Sequence, residues 1–157
     1  MKNSIFYLIL TLSACTGSKD HDISKIKLTE LNDQPIDLAQ FEGKTVFINF
    51  WATWCKPCIQ EMPTIESAQN SLKDENVVFL FASNEETERI ETFGENHTYH
   101  FHYVHLENME GQNIKALPTT FIFNPEGKLK FSEAGYRKWD DPANIELITK
   151  IMNDHEK

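Results

Sequence analysis

The chain is short of cysteine and of long charged runs, and each shortage removes a class of function. Only three cysteines occur in 157 residues, at positions 15, 55 and 58, and there is no second C-x-x-C. One C-x-x-C supplies two thiolates where a structural zinc needs four ligands, so a cysteine-built zinc site is excluded. No long Lys/Arg run appears and the formal net charge is -9, which argues against nucleic-acid binding. The longest apolar stretch, Ile5 to Leu12, is too short to span a bilayer. Internal repeats and low-complexity tracts are absent as well. What remains is an ordinary globular composition, 40% hydrophobic and 25% charged, in a length that suits one domain with a real core.

The amino terminus reads as a targeting segment. Met1 to Ser4 carries one positive charge, the apolar run follows, and it closes on Leu12-Ser13-Ala14-Cys15. This is the layout of a signal peptide. A cysteine at the first mature position resembles the lipobox of bacterial lipoproteins. That resemblance implies cleavage after Ala14 and a diacylglycerol on Cys15. The expected organisation is a lipoprotein signal peptide over 1–14, a lipid-anchored tether over 15–24 and a folded domain over 25–157. Lipidation of Cys15 would leave Cys55 and Cys58 as a self-contained pair in an oxidising compartment.

Along the domain, apolar periodicity predicts a small N-terminal hairpin across the turn Asn32-Asp33-Gln34-Pro35, then a buried strand over Thr45–Phe50. A helix follows from Lys56 to Leu72, interrupted by Pro63. A second buried strand covers Val77–Ala82. Ser83-x-x-Glu86 then has the form of a capping box opening a short helix that ends at Gly94. Strands are expected over Phe101–Leu106 and Thr119–Phe123. The turn Asn124-Pro125-Glu126-Gly127 leads into a strand over Lys128–Ala134, and a last helix is capped by Asp141 with Pro142 behind it. This order implies an α/β fold, a mixed sheet with helices on both faces.

The Cys pair sits where the strand turns into the helix. A disulfide across two residues closes so small a loop that it is a poor staple. At a helix N-terminus, by contrast, the free N–H groups and the helix dipole stabilise a thiolate. Lys56 adds a nearby positive charge, and Pro57 has a preset φ suited to a first turn. His97, His100, His102 and His105 cluster in sequence, but their alternation reads as the solvated face of a strand, and no metal is expected.

Trp51-Ala52-Thr53-Trp54-Cys55-Lys56-Pro57-Cys58 behind a buried strand resembles thioredoxin. Pro63, Leu117-Pro118-Thr119-Thr120 and Gly135 extend the likeness from about Lys25 to Ile151. Cys58-x-x-Glu61-Met62-Pro63 and the segment Glu91–Leu106 narrow it to TlpA/ResA-like extracytoplasmic thiol-disulfide oxidoreductases. The resemblance implies a three-layer thioredoxin-like sandwich with an N-terminal hairpin and a central inserted element. It also implies a redox disulfide Cys55–Cys58 and a cis bond before Pro118, which with Leu117 would meet an extended substrate. Trp54 would form substrate-contact surface and Trp51 would pack beneath the motif. The acid that thioredoxin buries on the preceding strand is replaced by Asn49, so Glu61 is the candidate proton acceptor. The implied partners are a disulfide-bearing envelope protein such as apocytochrome c, a membrane electron donor of the DsbD/CcdA type, and the membrane itself through Cys15. No cofactor is implied. The implied location is the bacterial cell envelope, facing the periplasm. A non-catalytic thioredoxin-fold binding module and a thiol peroxidase are the rival readings; the Thr-x-x-Cys setting of the latter is absent.

Overall fold

The computed structural model describes residues 22–155. The signal-peptide and lipobox expectations, Cys15 included, lie outside these residues. Among the described residues the strands and α-helices are β1 (Leu28–Thr29), β2 (Thr45–Phe50), α1 (Lys56–Ser71), β3 (Val77–Ser83), α2 (Thr87–Glu95), β4 (His102–Leu106), β5 (Thr119–Phe123), β6 (Leu129–Ala134) and α3 (Pro142–Met152). The strands make one mixed sheet in the order β1-β4-β3-β2-β5-β6.

All six residues of β2 are buried, as expected for a strand covered on both faces. It runs parallel to β3 and antiparallel to β5. Strand alternation splits its side chains between two cores. Phe47 joins Phe79, Phe81 and Ile122 on the face covered by residues of α1, α2 and α3. Val46, Ile48 and Phe50 point to the other face. That second face is closed by short 3-10 turns, Ile23–Lys25, Leu38–Phe41 and Met109–Gln112, with their flanks. Both faces are therefore covered, in a thioredoxin-like three-layer arrangement, but the layers differ in kind. The central inserted element is α2 with β4, which lies parallel to β3.

Five local expectations change. The N-terminal bend forms, with Ile36 N–H donating to Leu28 O (2.9 Å) and Glu30 N–H to Gln34 O (2.8 Å). Its return arm makes only an isolated bridge, Thr29 to Pro35, because β1 pairs along the sheet with β4. The capping box does not form: Ser83 ends β3, its hydroxyl is engaged by Glu85, and Glu86 at the helix start makes no side-chain cap bond. Gly94 lies inside α2, where its lack of a side chain suits the Tyr103 ring, 3.4 Å from where a Cβ would stand. Asp141 occupies the N-cap position of α3, but its carboxylate turns to Lys138 Nζ (2.7 Å). Pro63 is accommodated within α1, which runs unbroken to Ser71.

The folded unit begins ahead of the expected boundary at Lys25. Asp22 accepts from Ser24 N–H (3.0 Å) and pairs with Lys128 Nζ (3.1 Å). These bonds hold its carboxyl down at about 2. We expect Asp22→Ala to lower stability by about 1 kcal/mol, the usual worth of a capping residue. An unchanged denaturant midpoint at pH 7 would show that the chain ahead of Ile26 contributes nothing to folding.

Candidate active site

Cys55 closes the chain between β2 and α1, and Cys58 lies in the first turn of α1. Trp51 N–H donates to Ala82 O (3.1 Å) and its ring packs on Phe93 (4.7 Å) and Tyr103 (5.4 Å), which anchors the loop over β3 and α2. Cys55 is the N-cap of α1, and its Sγ accepts from Cys58 N–H at 3.3 Å. The two cysteines form a disulfide with Cα atoms 5.3 Å apart. Only 3% of Cys55 and none of Cys58 is exposed. Trp54 beside them is 70% exposed, and Lys56 and Pro57 are exposed as well.

The register of β2 with β5 pairs Phe50 with Thr119, so the Leu117–Pro118 peptide falls level with Trp51, at the start of the loop. That peptide is cis. Pro118 is buried, and its carbonyl accepts from Gly135 N–H (2.7 Å). A proline has no N–H to offer. Leu117 ahead of it is half-buried. Gly135 holds φ +107° to make this contact, a region disfavoured for side-chain-bearing residues.

Glu61 lies one turn along α1 from Cys58, on the same side of the helix. It is fully buried. Asn49 Nδ2 donates to its Oε1 (2.7 Å) and to Thr120 Oγ1 (3.1 Å). Arg137 N–H donates to its Oε2 (3.1 Å). Burial disfavours the carboxylate more than these donors favour it, and the acid is pushed up from 4.5 to about 7. The segment past Gly135 lies over it: Trp139 is buried, edge-on to Phe47 (4.7 Å) and Phe131 (5.8 Å). Trp139 N–H donates to Thr64 Oγ1 (3.1 Å). Thr64 is three residues beyond Glu61 on α1.

Asn49, Trp51, Cys55, Cys58 and Glu61 thus converge beneath Trp54, with Pro118 at the same end of the sheet. Pro63 is exposed on α1. The histidines do not converge. His97 stacks on Phe93 (3.9 Å) and bonds its carbonyl, while His102 meets Glu30 (2.9 Å). Among the described residues, no group of three or more His, Cys, Asp or Glu could hold a metal ion, and no helix is long and apolar enough to cross a membrane.

Arg137 was not identified from sequence, and Trp139 reads there as core or rim and not as a neighbour of Glu61. They reach Glu61 only because β6 and α3 fold back over α1. Nor was Glu85, which binds the loop at Thr53.

The AhpC/TSA family matches the chain over residues 20–132. The chain is 31% identical over 116 residues to the thiol-disulfide oxidoreductase ResA of Bacillus subtilis (strain 168), covering 71% of this chain and 65% of that protein. It is 35% identical over 115 residues to the thioredoxin-like protein YneN of the same organism, covering 69% and 66%. The match thus spans just under two thirds of the length of these relatives. Among solved structures, a thiol:disulfide interchange protein of the thioredoxin family from Chlorobium tepidum TLS superposes with a TM-score of 0.66 at 22% identity, covering 80% of this chain and 90% of that one. That likeness shows the fold.

Proposed function

The chain belongs to the AhpC/TSA family, and from that premise we propose that it is a thiol-disulfide oxidoreductase that reduces disulfides in proteins of the bacterial envelope. The observation that carries this reading is the Cys55–Cys58 disulfide seated at the N-terminus of α1, one turn from a buried carboxyl that titrates about 7.

In the reduced protein the Cys55 thiolate attacks one sulfur of a client disulfide. A mixed disulfide forms and the client's other sulfur leaves as a thiolate. Cys58 then loses its proton to Glu61 and attacks Cys55 Sγ. The Cys55–Cys58 bond closes, and the second client sulfur leaves and is protonated. Two electrons pass to the client, and the oxidised state is the one described above. An acid titrating near neutral pH suits this proton transfer, since a general base works best with a pKa near the operating pH. Asn49 cannot titrate; its amide orients the acid instead. Trp54 and Leu117 form the contact surface for the client, with Lys56 and Pro57 at its border.

The Lys-Pro pair between the cysteines lacks the histidine of oxidase-like motifs, which favours the reducing direction. A membrane donor of the DsbD/CcdA type recharges the dithiol, a lipid on Cys15 tethers the domain to the envelope, and apocytochrome c is the leading client class.

The test is covalent capture. Cys58→Ser stops the second step, so client proteins should accumulate on Cys55 in cell envelopes and be released by dithiothreitol. An absence of Cys55-dependent adducts would sink the exchange reading.

A further inference from the structure

The loop that carries Trp54 and Cys55 has a fixed point outside the redox pair. Thr53 N–H donates to Glu85 Oε2 at 2.6 Å, and Thr53 Oγ1 donates to Glu85 Oε1 at 2.8 Å. Both carboxylate oxygens are thus committed to one residue, two positions before Cys55. Glu85 is itself held from its own side. Ser83 Oγ donates to Oε2 (3.3 Å) and accepts from Glu85 N–H (3.3 Å), and Arg89 approaches Oε1 at 3.7 Å. Its side chain is only 11% exposed. A bidentate, charge-assisted contact of this kind fixes geometry more firmly than a neutral pair.

The position of this contact matters for chemistry. Cys55 N–H donates to Ala52 O (3.0 Å), so residues 52–55 form one tight turn. Thr53 is inside it, Trp54 is its exposed tip, and Cys55 closes it. Trp51 anchors the entry and α1 the exit; Glu85, at the end of β3, grips the middle.

Resting on the exchange reading above, we infer that Glu85 is a positioning residue for the redox loop. By holding the backbone and hydroxyl of Thr53 it sets the approach of Cys55 Sγ and of the Trp54 surface toward an incoming disulfide. Small displacements of a reacting group cost large factors in rate. Removal of the clamp should therefore slow exchange without unfolding the domain.

The experiment uses the reduced domain with oxidised glutathione as the model disulfide, in wild type, Glu85→Ala, Glu85→Gln and Thr53→Ala. Glu85→Ala should slow exchange about tenfold, well within what a misplaced group costs. Glu85→Gln keeps an acceptor oxygen and should stay within about threefold of wild type, because a neutral acceptor still holds one Thr53 donor. Thr53→Ala keeps the backbone bond to Glu85 Oε2 and should slow exchange less than Glu85→Ala does, and the double variant should be no slower than Glu85→Ala, the mark of residues acting as one unit. Glu85→Ala exchanging at the wild-type rate, or Gln failing to rescue while thermal unfolding is unchanged, overturns the clamp. Amide hydrogen exchange at Thr53 reads the clamp without any client. Loss of protection in Glu85→Ala supports it, and retained protection overturns it. If wild type exchanges no faster than free glutathione, the exchange function fails by itself, and Thr53 protection still decides the clamp.

Discussion

Glu61→Gln is expected to stabilise the oxidised domain at alkaline pH while crippling its turnover. Glu61 titrates at about 7 in the folded protein against 4.5 ordinarily. Between those values the native state holds a proton that the unfolded chain has released. The unfolded state then binds fewer protons, so stability falls as pH rises. The favourable term is complete below pH 4.5 and is lost as pH climbs through about 7. A shift of this size corresponds to about 3 kcal/mol across the window. Glutamine cannot ionise. Its amide oxygen can accept only one of the two hydrogen bonds from Asn49 and Arg137, because the amide NH2 is a donor. That loss is the same at every pH, so denaturant unfolding of the disulfide form should show the variant gaining about 3 kcal/mol on wild type between pH 4.5 and pH 8. In that form the cysteines are bonded to each other and do not titrate, which isolates the acid. Parallel pH curves would mean that Glu61 ionises without cost and is not desolvated. In turnover the same change removes the proton acceptor. Resolution of the mixed disulfide should slow by about a hundredfold or more, the usual contribution of a general base. Trapped mixed disulfide should accumulate in quench experiments, and the rate inflection near pH 7 should vanish.

Trp139→Ala is expected to give the largest loss of stability in the domain, about 3–5 kcal/mol, as for other fully buried aromatic truncations. The indole is enclosed between Phe47 and Phe131, and Arg137 lies over it at 5.6 Å. Its removal should also expose Glu61 to water. Desolvation is the largest cause of the raised value and outweighs the lowering effect of Trp139 itself, so the titration should move back toward 4.5. Carboxyl chemical shifts followed by NMR distinguish this from simple loosening. Tyr136→Ala, at an exposed neighbour, should cost less than about 0.5 kcal/mol as a surface substitution. A Trp139→Ala protein with wild-type stability and an unmoved Glu61 would refute the enclosure.

Both predictions depend on residues whose roles come from different levels of the chain. Cys55 and Cys58 were legible because their chemistry is local: the five residues between β2 and α1 suffice to set a sulfur at a helix N-terminus. The strand at Thr45–Phe50 was legible because an unbroken β-branched and aromatic run has no solvated face. Glu61 was legible as the candidate proton acceptor through the family resemblance, but not as a buried group; a glutamate is exposed by default, and its burial depends on what covers the helix. The covering segment, Gly135 to Trp139, lies some 75 residues away and gives no sequence sign of its destination. Glu85 was hidden for the same reason, since a polar residue after a strand looks like any loop residue until its partner at Thr53 is placed. The expected capping box at Ser83 failed because β3 extends through that serine and spends its hydroxyl on Glu85.

By itself, then, the sequence determined the order of elements, the doubly covered sheet and the place of the sulfurs, because periodicity and turn chemistry act over a few residues. The tertiary structure alone decided that the second layer is built of 3-10 turns, that the Pro118 carbonyl is taken by Gly135, and that Glu61 is buried against the segment that carries Arg137 and Trp139. Those outcomes depend on which distant segments meet across the sheet, and the cost of burying a charge is set only where they do.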